Sequence, residues 1–183
     1  MTPWQLFVNK WKDCKLCPLY EQRSNIVLAR GVIPADIMMV GEAPGASEDA
    51  LGIPFCGPAG HLLDQIVQRA VPPSVTVVCC NLVCCYPAEA KAAGYNEPEY
   101  SEILACRPRL MEFIDIAQPK LIVCVGSLAS DNINHDAYGK VRGADVIAII
   151  HPAAILRMPL AQKQMAAQRA IVTLRTAVED MLQ

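Results

Sequence analysis

The sequence predicts an α/β protein, a three-layer αβα fold with a central four-stranded parallel sheet. Four short, continuous apolar runs are typical of strands covered on both faces, and helical patterns separate them. Alternation of strand and helix indicates parallel pairing with right-handed crossovers. The predicted strands are 36–40, 75–80, 121–125 and 146–150. The predicted helices are 3–11, 59–70, 98–116, 127–134 and 160–182.

The composition predicts one folded domain that covers residues 1–183. Hydrophobic residues make up 53% of the chain and charged residues 19%, which excludes a disordered protein. No apolar run approaches the roughly 18 residues of a membrane span, and the N-terminus lacks the apolar core of a signal peptide. We expect a cytoplasmic monomer, in a prokaryotic or virus-infected cell, with no membrane partner.

The charge of the chain does not by itself predict a nucleic-acid partner. The formal net charge is -2, whereas affinity of a whole surface for nucleic acid needs an excess of Lys and Arg. A local stripe of cations still binds phosphates on an acidic protein. Four residues near the C-terminus are candidates for such a stripe: Arg157, Lys163, Arg169 and Arg175. A solvated helix face is an equally good interpretation of them.

A loop crowded with glycine and proline follows the first predicted strand. Its glycines stand at 41, 45, 52, 57 and 60, and its prolines at 44, 54 and 58. These residues allow tight turns and expose backbone N–H groups, as a site for a planar or anionic ligand requires. Such density directly before a helix predicts a binding loop rather than an ordinary connection.

Polar side chains follow the predicted strands at the points where they end. Glu42 follows the first strand, Asn81 the second, Ser127 the third and His151 the fourth. In open parallel sheets, ligands bind beyond the carboxyl ends of the strands. We therefore expect a carboxylate, a carboxamide and an imidazole to meet in one site.

The cysteines predict a metal centre. In a reducing cytosol, nine cysteines are metal ligands or buried apolar side chains rather than disulfides. Cys14 and Cys17 form a Cys-x-x-Cys pair, and Cys85 and Cys106 complete a set of four, with Cys84 as the substitute for Cys85. Four thiolates suit tetrahedral zinc or a [4Fe-4S] cluster, and spacing does not choose between them. Three cysteines inside predicted strands are expected to pack in the core: Cys79, Cys80 and Cys124.

A series of motifs stands in order along almost the whole chain. They are Gly41-Glu42-Ala43-Pro44-Gly45, Glu48-Asp49, Gly52-x-Pro54-Phe55-x-Gly57-x-Ala59-Gly60, Leu63-Asp64, Asn81-x-Val83-x-Cys85, Cys106 and His151-Pro152-Ala153-Ala154. Together they resemble the family 4 uracil-DNA glycosylases, the iron-sulfur branch of the uracil-DNA glycosylase superfamily. The similarity runs from about Cys14 to the last predicted helix.

The resemblance implies both a cofactor and an activity. The cofactor is a structural [4Fe-4S] cluster held by Cys14, Cys17, Cys85 and Cys106, which favours iron over zinc. The activity is hydrolysis of the N-glycosidic bond of uracil in DNA, single- or double-stranded, during base excision repair. The implied enzyme flips the base out of the DNA and is monofunctional, without lyase activity.

The resemblance also implies roles for individual residues. Phe55 stacks on the flipped uracil, Asn81 hydrogen-bonds its Watson–Crick edge, and His151 faces the departing base. A carboxamide suits this task because its donor and acceptor match O4 and N3–H of uracil but not the edge of cytosine. The loop after the first strand lines the pocket for base and sugar, with Gly41, Ala43, Pro44 and Gly45.

The water that attacks the sugar needs another group to orient it. Other branches of the superfamily place an aspartate at the position of Ala43, and alanine cannot take that role. Catalysis is therefore assigned to His151 and to Glu42, with Ser47 and Glu48 as further candidates for orienting water.

Backbone phosphates of DNA are expected to contact local cations and hydroxyls. The first candidates are Arg157 and Ser127, and three further arginines are Arg107, Arg109 and Arg142. Local charge matters because a cluster on four thiolates adds about -2 to the net charge of the protein. The other histidines, His61 and His135, belong to no motif and are expected on the surface.

Two segments differ from related patterns. Residues 86–96 replace a segment that carries arginines in the family, and residues 138–143 lack the basic, histidine-bearing insertion of a branch that traps DNA covalently. The first difference motivates alternative hypotheses. The protein could instead bind or excise another modified pyrimidine, or it could be a non-catalytic iron-sulfur module that binds nucleic acid.

Overall fold

The computed structural model describes residues 1–88, 97–133, 135–137 and 139–183, in which strands form one five-stranded sheet of order β1-β3-β2-β4-β5. The strands are β1 (Arg30–Gly31), β2 (Ile37–Gly41), β3 (Val77–Asn81), β4 (Leu121–Val125) and β5 (Asp145–Ile149). The described helices are α1 (Pro3–Trp11), α2 (Leu19–Gln22), α3 (Ala46–Leu51), α4 (Pro58–Ala70), α5 (Tyr100–Ala117), α6 (Ser127–Asn132), α7 (Pro152–Arg157) and α8 (Leu160–Met181).

The predicted four-stranded parallel sheet is confirmed, and β1 adds a short antiparallel edge to it. β2, β3, β4 and β5 pair in parallel, whereas β1 runs antiparallel to β3. Gly31 in β1 has a φ of 121°, and an added Cβ would lie 2.3 Å from the carbonyl oxygen of Val77. A strand of two residues carries no hydrophobic pattern, so periodicity could not predict it.

Successive residues of the central strand β2 face two separate cores. Met38 and Val40 pack into the core that contains α1 and α5, while Ile37 and Met39 pack into the core that contains α4 and α8. This alternation follows from the pleat of a strand, and it explains why the run is apolar throughout. No helix in the described part of the chain is long and apolar enough to span a membrane.

The last strand is more exposed than the sequence analysis predicted. β5 lies at the edge of the sheet, and both Asp145 and Ala148 in it are exposed. Asp145 and Ala148 are three residues apart, so their side chains lie on opposite faces of the strand and neither face is fully covered. The expectation that every predicted strand is covered on both faces is therefore wrong for β5.

The first helix begins at a reciprocal cap, which confirms the predicted range 3–11. The Thr2 hydroxyl accepts a hydrogen bond from the backbone N–H of Gln5 at 3.2 Å, and the Gln5 side chain accepts one from the N–H of Thr2 at 2.8 Å. Phe7 is buried and its ring lies 5.4 Å from that of Phe113 in α5. The helix thereby covers one face of the sheet.

A carboxylate joins the starts of three neighbouring strands. Asp36, before β2, accepts hydrogen bonds from the hydroxyl of Thr76 at 2.8 Å, from the Thr76 N–H at 3.0 Å and from Lys120 Nζ at 2.9 Å. Thr76 and Lys120 stand directly before β3 and β4. Lys120 and then Thr76 lower the pKa of Asp36 to about 2.

We expect Asp36→Asn to reduce the free energy of unfolding by about 1 kcal/mol at neutral pH, because accessible charged hydrogen bonds have modest strength. The pKa of Asp36 is lower in the folded chain than the roughly 3.9 of an unfolded chain. Its contribution is therefore complete above that value and disappears as pH falls toward about 2. Urea unfolding across this pH range measures the difference. The exposed Asp13→Asn should show no such loss, and an equal loss there would contradict the prediction.

Candidate active site

A cavity of about 580 Å³ opens at the carboxyl ends of the parallel strands. Its walls include the four groups predicted to converge from the strand ends: Glu42, Asn81, Ser127 and His151. Four other predicted site residues also line it: Ala43, Gly45, Phe55 and Arg157. Two more, Gly41 and Pro44, are buried. The topology thus brings residues from four parallel strand ends to one cavity, as the sequence analysis predicted.

Gly41 is the point where the aromatic ring and the carboxamide meet. A Cβ atom added at Gly41 would lie 2.3 Å from Oδ1 of Asn81 and 2.5 Å from Cζ of Phe55. Gly41 also pairs with Asn81 in the register of β2 and β3. The absence of a side chain at this position is what allows the two groups to approach each other.

The Asn81 side chain is buried and offers a free donor at the cavity wall. Its residue is 3% exposed, and its Nδ2 has no hydrogen-bond partner among the described residues. An unpaired buried amide costs free energy, so such groups generally serve a ligand or a solvent molecule. The amide is therefore suited to bind a polar group that enters the cavity.

His151 stands at the N-cap of α7, where the backbone selects its tautomer. Its Nδ1 accepts a hydrogen bond from the Ala153 N–H at 3.1 Å, so the proton of a neutral ring lies on Nε2. Gly126 separates this ring from a carboxylate. A Cβ added at Gly126 would lie 2.8 Å from Oε1 of Glu42 and 3.2 Å from Cβ of His151. The Glu42 carboxylate and the His151 side chain thus both border the space beside Gly126.

Glu48 holds the binding loop together, a role that the sequence analysis did not identify. Its two carboxylate oxygens accept hydrogen bonds from the backbone N–H groups of Gly45 and Phe55. Phe55 has a φ of 55°, which is uncommon for a residue with a side chain. Glu48 therefore fixes the aromatic ring, while Glu42 remains the better candidate for orienting water. The sequence could have indicated this role, because Glu48 is the third residue of α3, a position from which a glutamate side chain commonly bonds the N-cap backbone.

The neighbouring carboxylate anchors the same loop to the N-terminal part of the chain. Asp49 is 5% exposed and accepts hydrogen bonds from the backbone N–H groups of Ser24 and Asn25 at 2.9 to 3.2 Å. Asn25 in turn donates its Nδ2–H to the backbone carbonyl of Asp49 at 2.8 Å. The two adjacent acidic residues of α3 thus serve the shape of the loop.

The structure separates the arginines that were expected to contact DNA. Arg157 is exposed at the end of α7 and lines the cavity. Arg142 forms an ion pair with Asp115 at 3.0 Å. The expectation for Arg109 is wrong, because this residue is 1% exposed and cannot reach a phosphate. Of the atypical segment 86–96, residues 89–96 lie outside the described residues, as does Tyr138 of the segment 138–143.

Five thiols surround a second, small cavity: Cys14, Cys17, Cys84, Cys85 and Cys106. The Sγ atoms of Cys84 and Cys106 are 3.7 Å apart. Arg23 donates from Nη1 to Sγ of Cys85 at 2.9 Å. No group of three or more His, Cys, Asp or Glu side chains is arranged to hold a metal ion in the ranges that the structure describes. The four predicted ligands and Cys84, the predicted substitute for Cys85, nevertheless line one cavity.

The surroundings of the thiols differ in their electrostatics. Hydrogen bonding with Cys84, together with the Arg23 guanidinium, lowers the pKa of Cys85. The hydrogen bond between Cys84 and Cys106 lowers the pKa of Cys84, but contact with Cys85 and burial outweigh it and raise the value to about 12. Burial likewise raises the pKa of each predicted core cysteine to about 12, in Cys79, Cys80 and Cys124. All three are buried, which confirms the expectation that they pack in the core.

Comparison with known proteins agrees with the fold. A family described as the uracil DNA glycosylase superfamily matches residues 29–175, and the chain therefore belongs to this superfamily. Among curated relatives, the type-4 uracil-DNA glycosylase of Pyrobaculum aerophilum is 34% identical over 81% of this chain and 82% of the relative. That of Sulfurisphaera tokodaii is 38% identical over 82% of this chain and 74% of the relative. The type-4 enzyme of Saccharolobus solfataricus is 34% identical over 86% of this chain and 79% of its own.

We expect Gly41→Ala to lower the free energy of unfolding by about 1 to 3 kcal/mol, because the new methyl group overlaps Asn81 and Phe55. Gly57→Ala is a matched control, since an added Cβ there meets only an ordinary contact at 3.9 Å and the backbone φ is -88°. Urea unfolding of both variants measures the difference. Equal stability of the two variants would contradict the close approach at Gly41.

Proposed function

We propose that the protein is a monofunctional uracil-DNA glycosylase, which hydrolyses the N-glycosidic bond of a uracil flipped out of DNA in base excision repair. The supporting observation is the convergence of Phe55 and Asn81 at Gly41, in the cavity that His151 also lines. Relatives named type-4 uracil-DNA glycosylases support the same activity.

Uracil is selected by stacking and by hydrogen bonds. The ring of Phe55 provides a flat apolar surface for one face of the base. The Asn81 amide donates from Nδ2, which has no partner among the described residues, to O4 of uracil, and its Oδ1 accepts from N3–H. Cytosine presents a donor and an acceptor in the reverse order, so both interactions would be lost.

Bond cleavage is assisted by charge stabilisation on the base. As the bond between C1′ and N1 breaks, its electron pair moves to the uracil ring and the sugar gains oxocarbenium character. His151 donates its Nε2–H to O2 of the departing base, and such a donor contributes about 3 kcal/mol. Glu42 orients the water that adds to C1′ and accepts the proton that this water loses, while the released uracil anion takes up a proton from solvent. The Glu42 carboxylate lies across Gly126 from the imidazole.

Hydrolysis without a lyase step needs no amine nucleophile at the sugar. No lysine is found among the described residues that line the cavity, so they offer no group for a Schiff base with the sugar. Arg157 and Ser127 stand in the wall of the cavity, where we assign them to the phosphates that flank the flipped nucleotide.

We propose that Cys14, Cys17, Cys85 and Cys106 hold a [4Fe-4S] cluster. Two observations support this assignment: thiols from three parts of the chain line one cavity, and guanidinium groups contact Cys85 and Cys106. When bound, the cluster supplies a structural cross-link between the segment before α2, the segment after β3, and α5. Tetrahedral zinc on the same thiolates is the competing assignment.

We expect His151→Ala and Asn81→Ala to lower the single-turnover rate of uracil release from a single-stranded oligonucleotide by about 100-fold or more, because each removes a contact to the base. His61→Ala is the control, since His61 is exposed on α4. Wild-type rates in both variants would reject the assigned roles. A panel of oligonucleotides with other modified bases identifies a different substrate, and tight binding of uracil-DNA without turnover by the wild-type protein would favour a binding module.

We expect Cys85→Ser to lose most of the bound iron and Cys84→Ser to retain it, since only the first is an assigned ligand. Iron, acid-labile sulfide and zinc are measured per chain in proteins purified without oxygen, and a cluster also gives broad visible absorption. Loss of iron in Cys84→Ser with retention in Cys85→Ser would exchange the two assignments. Zinc in place of iron in the wild-type protein would overturn the cluster.

A further inference from the structure

One arginine is buried without a carboxylate partner. Arg109 lies on α5, is 1% exposed, and forms no ion pair with an Asp or Glu in the described ranges. Its Nε and Nη1 atoms have no hydrogen-bond partner there either. Burying a guanidinium without a negatively charged partner is costly, so a compensating negative charge is to be expected nearby.

The groups that face Arg109 are thiols. Its Nη2 lies 3.5 Å from Sγ of Cys106, one turn earlier on α5. Arginine keeps its positive charge in proteins. The guanidinium of Arg109 is therefore best paired when the sulfur next to it is deprotonated, as it is when it binds a metal.

The same nitrogen also holds the main chain at the base-binding residue. Nη2 of Arg109 donates to the carbonyl oxygens of Asn81 and Leu82, both at 2.7 Å. The Asn81 side chain lies in the candidate active site. Its Oδ1 is 2.3 Å from the position that a Cβ atom added at Gly41 would occupy. One guanidinium therefore contacts both the thiol cavity and the backbone that positions the carboxamide.

We propose that Arg109 is a positioning residue that is held in place by the negative charge of the thiolate centre and in turn fixes Asn81 for base recognition. Loss of the positive charge would destabilise the added negative charge of a reduced cluster and loosen the Asn81 carbonyl. The part that concerns base recognition rests on the proposed function, and the part that concerns the thiolate centre does not.

Arg23 provides a matched control for the two parts. It is half-buried and donates to Sγ of Cys85 at 2.9 Å and to the carbonyl oxygen of Cys14 at 2.8 Å. None of its described hydrogen bonds reaches Asn81 or Leu82. A change at Arg23 should therefore affect the thiolate centre alone.

The experiment compares Arg109→Met, Arg109→Lys and Arg23→Met in the full-length protein. Iron and sulfide per chain and the reduction potential of the bound cluster report on the thiolate centre. Single-turnover rates on matched uracil and cytosine oligonucleotides report on base recognition. Arg109→Met should lower the potential and reduce the ratio of uracil to cytosine cleavage by about tenfold or more, as loss of a charged hydrogen bond implies. Arg23→Met should lower the potential and keep the ratio.

Arg109→Lys retains the charge and should keep a potential close to that of the wild-type protein. If Arg109→Met does not fold, Arg109→Lys still tests the proposal. A reduction potential of Arg109→Lys as low as that of Arg23→Met would then overturn it. A wild-type potential and a wild-type ratio in Arg109→Met would overturn it as well. If the wild-type protein releases no uracil, the proposed function fails, whereas the potentials and the position of Asn81 in crystal structures of the variants still test Arg109.

Discussion

The candidate active site depends on a steric constraint at the end of β2, where Gly41 leaves room for two larger groups. The Phe55 ring and the Asn81 carboxamide both approach the position that a side chain would occupy. A second glycine closes the loop from the other side, because a Cβ at Gly60 would overlap the carbonyl of Phe55 at 1.7 Å. The Glu48 carboxylate accepts a hydrogen bond from the Phe55 N–H and so fixes the backbone that carries the ring. The loop is therefore preorganised, and under the proposed function this lowers the cost of ordering it around a base.

The chemistry that follows needs few residues because the parallel sheet supplies their geometry. Four strand ends meet at one edge, and each contributes a different group to the cavity. His151 gains its tautomer from the first turn of α7, and Glu42 lies beside it across Gly126. Electrostatic stabilisation of a departing base requires such fixed donors rather than a strong nucleophile. The proposed mechanism therefore needs no aspartate at the position of Ala43.

Sequence reasoning predicted the parts of this protein that repeat a simple pattern. The parallel strands and the convergence at their ends follow from apolar runs and from topology, and both are confirmed. The short strand β1 was missed because two residues are too few to show a hydrophobic periodicity. Arg109 was misplaced because arginine is almost always exposed, and only the packed structure reveals thiols in the place of water. Cys84 and Cys85 are adjacent in the chain, so no spacing rule could separate them.

The main chain continues its pairing beyond the end of β3. The N–H groups of Leu82 and Val83 donate to the carbonyl oxygens of Gly41 and Glu42 at 2.9 and 3.2 Å, just before Cys84 and Cys85. The thiol-bearing segment and the floor of the pocket are consequently one mechanical unit. A shift of the backbone beside Cys84 and Cys85 is therefore transmitted directly to Gly41 and Glu42 at the wall of the pocket.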